Sequence, residues 1–141
     1  MIRTEKDYQQ ALKRLQDDLG VINQQRQKLA ELGLSEDEAQ VALEPALCFH
    51  EQLKEEVAAY EKNKRGELGP IYSLESIGRV LIGLRIAFGL SQREFAEKLG
   101  VSEAAVSRDE RNEYHGISVE RAQKILETFN VKPTISFDDV A

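Results

Sequence analysis

Apolar residues recur at Tyr8, Leu12, Leu15, Leu19, Ile22 and Leu29, at steps of four, three, four, three and seven. That spacing traces the narrow seam of a coiled-coil-like helix. From Thr4 to about Leu32 the chain has no proline and one interior glycine, Gly20, and consists mostly of strong helix formers. Arg26 occupies the step that should be apolar and interrupts the seam. Gly33 and the capping sequence Ser35-Glu36-Asp37-Glu38 stop this helix and start another. In the second helix Pro45 predicts either a short turn over 36–44 or a bent helix, because proline breaks the hydrogen-bond ladder. Beyond it Ala46, Phe49, Leu53, Val57 and Tyr60 recur at steps of three and four and would face the first helix. Residues 1–65 therefore read as a helical hairpin for dimerisation or partner binding; spacing alone leaves open whether the seam closes on itself or on a second copy.

Between 66 and 75 the periodicity is lost and glycine and proline gather, which marks a linker. Lys62, Lys64 and Arg65 just before it suit the C-terminal end of a helix. After Ser73, Ile77, Leu81, Leu84 and Phe88 form an apolar stripe broadened by Val80 and closed by Gly89. Ser91-Gln92-Arg93-Glu94 is a second capping box, opening a helix through Phe95, Ala96 and Leu99 that Gly100 ends. Ser102 caps a third helix through Ala105, Val106 and about Glu110, and Ser118 a last one carrying Val119, Ala122, Ile125, Leu126 and Phe129. The tail, 131–141, alternates with Val131, Ile135 and Phe137 on one side, as in a short edge strand able to pair with a symmetry mate, or as in a partly ordered terminus. The expected fold is all-α: the hairpin, then a four-helix domain over 76–130.

Composition narrows the function. The chain has 141 residues and a formal net charge of -6, but the charge is uneven. Residues 1–75 carry -5, residues 76–132 carry +1, and the last nine carry -2. Any contact with DNA must come from a local cluster of cations. The N-terminus lacks an apolar leader, and no apolar run nears the roughly 20 residues a bilayer demands, so the expected location is cytoplasmic with no membrane partner. With one cysteine, Cys48, and two histidines, His50 and His115, a disulfide framework or a Cys/His zinc site is out of reach. Cys48 and His50 read as packed or half-exposed helix residues, since no third polar group is placed to orient them. No nucleophile with a base, metal set or phosphate-binding loop is evident, so neither an enzyme, a metal nor a cofactor is expected.

The segment Gly89-Leu90-Ser91-Gln92-Arg93-Glu94-Phe95-Ala96-Glu97-Lys98-Leu99-Gly100-Val101-Ser102, followed by Ala105-Val106-Ser107-Arg108-Asp109-Glu110, resembles the helix-turn-helix of the XRE family, the phage Cro and repressor type. Small Ala96 suits a close helix crossing, Gly100 a turn with positive φ, and Val101 and Val106 the angle between the helices. The resemblance covers about 76–130. It implies that the second helix of the motif lies in the major groove. There Ser102, Glu103, Ala104, Ser107 and Arg108 face outward, Arg108 suited to guanine and Glu103 to cytosine N4. Gln92 and Arg93 begin the first helix of the motif, where a phosphate can be held; Arg111, Asn112 and Tyr114, with His115 beside them, follow the reading helix and would grip phosphates. Arg85 and Glu110 are implied as a structural ion pair. Asp109 departs from the family pattern, which often has an aromatic residue there, and an acid beside DNA is unhelpful.

The resemblance implies a sequence-specific transcriptional regulator, a dimeric repressor of its own operon on a palindromic operator of double-stranded DNA. The competing implication is an antitoxin, similar to those of the HigA kind, that neutralises a basic toxin protein through the acidic hairpin and binds DNA secondarily.

Overall fold

The computed structural model describes residues 1–139. Their regular structure is helical throughout, with no strand among the described residues. They divide into two compact units, Met1–Lys62 and Asn63–Ala141.

The first unit is an antiparallel pair of helices, α1 (Glu5–Glu31) and α2, which runs Glu36–Lys64 to just past the unit's end. Thr4 caps α1 by accepting from the Asp7 N–H. At the turn Gly33 takes φ 86°, and the Gly33 and Leu34 amides donate back to the carbonyls of Ala30 and Leu29. Ser35 Oγ then accepts from the Glu38 N–H to open α2. The Tyr8 hydroxyl donates to Glu61 and the Tyr60 hydroxyl to Glu5, while farther along Arg26 reaches Gln40. The start of α1 meets Tyr60 and Glu61 and Arg26 farther along meets Gln40, so the two helices run antiparallel and the seam closes within one chain. Glu61 accepts that hydroxyl hydrogen bond and holds the Tyr8 phenol above its ordinary pKa.

The seam keeps the predicted period but not all of the predicted residues. On α2 the buried positions Ala39, Leu43, His50, Val57 and Tyr60, with half-buried Ala46 and Leu53 between them, follow an alternation of fours and threes, and half-buried Leu47, Glu56, Glu61 and Asn63 flank it. Phe49 is displaced to the solvent side at 67% exposed, and on α1 Leu19 is likewise half exposed while Ala11 and Ile22 are buried. An alternation of threes and fours starting from Tyr8 passes through Ala11, Leu15, Asp18 and Ile22, so small and polar residues take seam positions that hydrophobicity alone assigned to leucines. Pro45 stands inside a continuous α2. It lacks the N–H that would bond the Val41 carbonyl, but both residues are exposed and water can take that acceptor.

His50 is a polar residue in this seam, only 6% exposed, and its Nδ1 finds no hydrogen-bond partner among the described residues. An unsatisfied buried nitrogen costs about 1–2 kcal/mol. His50→Leu should therefore raise the thermal midpoint by several degrees, read by circular dichroism; a lowered midpoint would show that the imidazole is satisfied in solution.

The second unit holds a 3₁₀ turn (Leu74–Ser76) and four helices, α3 (Ile77–Ala87), α4 (Gln92–Leu99), α5 (Glu103–Arg111) and α6 (Val119–Thr128). Ser73 caps the 3₁₀ turn by accepting from the Glu75 N–H, so the helix predicted after Ser73 begins three residues later. α3 is buried on most sides, at Leu81, Ile82, Leu84, Arg85 and Ile86. Phe88 leaves this core at 54% exposed, though its ring still meets Phe129 with centroids 5.1 Å apart. Phe95, wholly buried, also stacks on Phe129, with centroids 5.1 Å apart. Ala122, Ile125 and Leu126 complete the core from α6, whereas Val119, in the first turn, is 81% exposed. The tail forms no strand over 131–139; Ile135 and Phe137 lie exposed. An alternating segment gains strand structure only by pairing, and Pro133 has no N–H to give such a ladder. Residues 140 and 141 of that predicted strand lie outside the described residues.

Candidate nucleic-acid interface

Three short helices build the site. Ser91 caps α4 in a complete capping box: its side chain accepts from the Glu94 N–H at 3.1 Å, and the Glu94 carboxylate accepts from the Ser91 N–H at 2.7 Å. That backbone bond holds the Glu94 carboxyl below the usual carboxylate range. α4 ends at Gly100, whose φ of 69° lies in the left-handed region, where a side chain would be strained. The Gly100 and Val101 amides return to the carbonyls of Glu97 and Ala96, and two residues later Ser102 Oγ caps α5 by accepting from the Ala105 N–H at 3.1 Å. Ala96 and Val106, 2% and 1% exposed, fill the crossing of the two helices. Val101, assigned to the same crossing by sequence, is 42% exposed at the turn.

Arg85 and Glu110 form the expected buried pair. The Arg85 guanidinium donates through Nε to Glu110 Oε1 and through Nη2 to Oε2 at 2.8 Å, while Nη1 donates to the Leu90 carbonyl at 2.8 Å. Asp109, which looked unhelpful beside DNA, receives a hydrogen bond from Arg121 Nη2 of α6 at 2.5 Å. It faces the protein and its charge is compensated there. No local signal reveals this pair, because Arg121 lies in the next helix.

The proposed contact residues fall into three groups. Arg93, Ser102, Glu103, Ala104, Arg108, Arg111 and Asn112 are exposed and Ser107 is half-buried; they come from the start of α4, the outer side of α5 and its C-terminal cap. Arg93 is paired with Glu97 at 3.6 Å on its own helix. Gln92 is half-buried, and its amide donates to Glu110 Oε2 at 2.8 Å where a phosphate contact was expected. Tyr114 is 5% exposed, so its ring belongs to the core and drops out of the contact set. Burial raises the Tyr114 phenol pKa strongly, with the nearby Glu110 and Asp109 charges adding to the effect. His115 is exposed.

One residue that bears on this site was missed by sequence reasoning. Glu113 and Tyr114 both have positive φ, 50° and 53°, which is strained for residues other than glycine. This conformation puts the Glu113 carbonyl against Gly78, where a Cβ would meet that oxygen at 1.8 Å. A glycine inside an apolar helix was the available signal of a close backbone approach.

Two capped helices joined by a left-handed glycine, with a buried ion pair beneath and an exposed polar face on the second helix, define a helix-turn-helix DNA-binding unit. Residues 82–135 match the Helix-turn-helix family, a family of the XRE type whose domains bind DNA and regulate transcription; it is not an enzyme family. The match spans α3 from its sixth residue through α6. No curated protein and no solved structure matches the chain. No helix among the described residues is long and apolar enough to cross a membrane.

Proposed function

We propose that this protein is a dimeric repressor of its own operon, reading a palindromic operator with α5 in the major groove. The observation that carries the reading is the outward array of Glu103, Ala104, Arg108 and Arg111, left exposed on a helix whose inner side is locked by Val106 and Glu110. Arg108 reads guanine through O6 and N7, and Glu103 accepts from cytosine N4. Arg93, Arg111 and Asn112 take phosphates, and Ser102, Ala104 and Ser107 line the groove face. A domain of net +1 over 76–132 gains little affinity from counterion release, and one such helix reads only a few base pairs. Two copies on half-sites about one helical turn apart supply what one lacks.

Fluorescence anisotropy of the protein on DNA from upstream of its gene, against scrambled DNA over a salt series, tests this. Arg108→Ala should cost about 1–3 kcal/mol of discrimination while binding to scrambled DNA changes little. Equal binding of the wild type to both DNAs would overturn the reading.

A second reading, an antitoxin that neutralises a basic toxin by direct contact, is supported by one observation. α2 carries eight acidic residues against three lysines, a surface suited to a cationic partner. Co-purification of a neighbouring gene product, lost when Glu44, Glu51 and Glu55 are changed to glutamine, would favour it.

A further inference from the structure

We infer that Gln92 is a positioning residue that sets the angle of α5 on DNA through Glu110. The inference rests on the DNA-binding reading and deepens it. Gln92 is the first residue of α4 and Glu110 the eighth of α5. They meet at 2.8 Å, Nε2 donating to Oε2. The oxygen that receives Gln92 also receives Arg85 Nη2 from α3, and Arg85 in turn holds the Leu90 carbonyl just before α4. One wholly buried carboxylate thus gathers the end of α5, the start of α4 and the body of α3.

The position of this junction gives it leverage. The turn at Gly100 joins the near ends of α4 and α5. Gln92 and Glu110 each lie seven residues away along their helices, about 10 Å at 1.5 Å per residue. Two rods joined at one end keep their angle only if they are also tied far from the joint. Apolar packing at Ala96 and Val106 is non-directional, whereas a hydrogen bond to a charged acceptor is directional and among the stronger ones. A primary amide carries two donor hydrogens. One is committed to Glu110, and the other is available to a phosphate, so backbone contact and the angle of the reading helix are linked through one side chain.

The test uses the full chain, with Gln92→Met, which keeps length and helix propensity but removes both donors, and Gln92→Ala. Each is titrated against the upstream fragment that the wild type prefers and against scrambled DNA across a salt series, with thermal midpoints measured alongside. The expected result is a roughly tenfold fall in the preference ratio in both variants, the size of a lost hydrogen bond to a charged group. The salt slope should change by no more than the value of one phosphate, about 0.9. Equal weakening on both DNAs with the ratio intact would make Gln92 a phosphate contact only. A lowered midpoint with the ratio intact would make it a stability element only. Either outcome overturns the inference. A wild type with no preference removes the DNA-binding reading itself, and this inference with it.

Discussion

Arg85→Met is expected to destabilise the C-terminal unit by about 3–5 kcal/mol, a large share of the roughly 5–15 kcal/mol that holds an ordinary domain folded. The arginine is 3% exposed and Glu110 wholly buried. Without the guanidinium the Glu110 carboxylate loses both hydrogen bonds from Arg85 while the Gln92 amide still donates to it, and much of its desolvation goes uncompensated. Arg85→Met combined with Glu110→Leu removes both charges and should recover most of the loss, since an apolar pair of similar volume often replaces a buried ion pair at little cost. Urea titration followed by circular dichroism at pH 7 measures both variants. A single mutant as stable as the wild type would mean that water reaches Glu110. The recovered double mutant should still bind DNA with reduced preference, because the tie from Gln92 to α5 is gone.

Gly78→Ala should also be damaging, at about 1–3 kcal/mol or more. Alanine ordinarily gains up to about 1 kcal/mol over glycine inside a helix. Here the new methyl would lie 1.8 Å from the Glu113 oxygen, 2.7 Å from its carbon and 3.2 Å from Tyr114 Cβ. Two of those atoms are backbone, in a segment already at positive φ, so the loop must move or the helix must shift, and overpacking of this kind outweighs propensity. Gly20→Ala is the internal control: nothing lies within 4 Å of the Cβ it would add, and it should stabilise the chain by about 0.5–1 kcal/mol. The same urea titrations read both. If Gly78→Ala matched Gly20→Ala, the close approach would be absent in solution. Because Glu113 follows the α5 C-cap Asn112 directly, the displacement should also move Arg111 and Asn112 and weaken binding to all DNAs.

The capping serines Ser91, Ser102 and Ser118 were legible because each N-cap bond spans three residues, a purely local event. Gly100 was legible for the same reason. The Arg85 and Glu110 pair was legible only through resemblance, since 25 residues separate the partners and nothing local joins them. At the candidate interface the outward positions of α5 were legible through the resemblance. The inward turn of Gln92 and the burial of Tyr114 were not, because each depends on what stands across from the side chain. In the hairpin the period of the seam was readable and so was most of its phase, through Tyr8, Leu15, Ile22, Ala46, Leu53, Val57 and Tyr60, but not its positions at Ala11, Asp18 and His50. Leu19 and Phe49 are more hydrophobic than Ala11, Asp18 and His50, yet an antiparallel pair buries whatever occupies the facing positions.

By itself, then, the sequence determined the helices, their caps, the left-handed turn and the helix-turn-helix class, all set by backbone sterics and hydrogen bonds over a few residues. Only the tertiary structure decided that Asp109 is held by Arg121, that Gly78 admits the Glu113 carbonyl and that Gln92 reaches Glu110. Those contacts join residues from 12 to 35 positions apart. Their energies depend on distance, burial and direction in space, quantities that a linear order of residues does not contain.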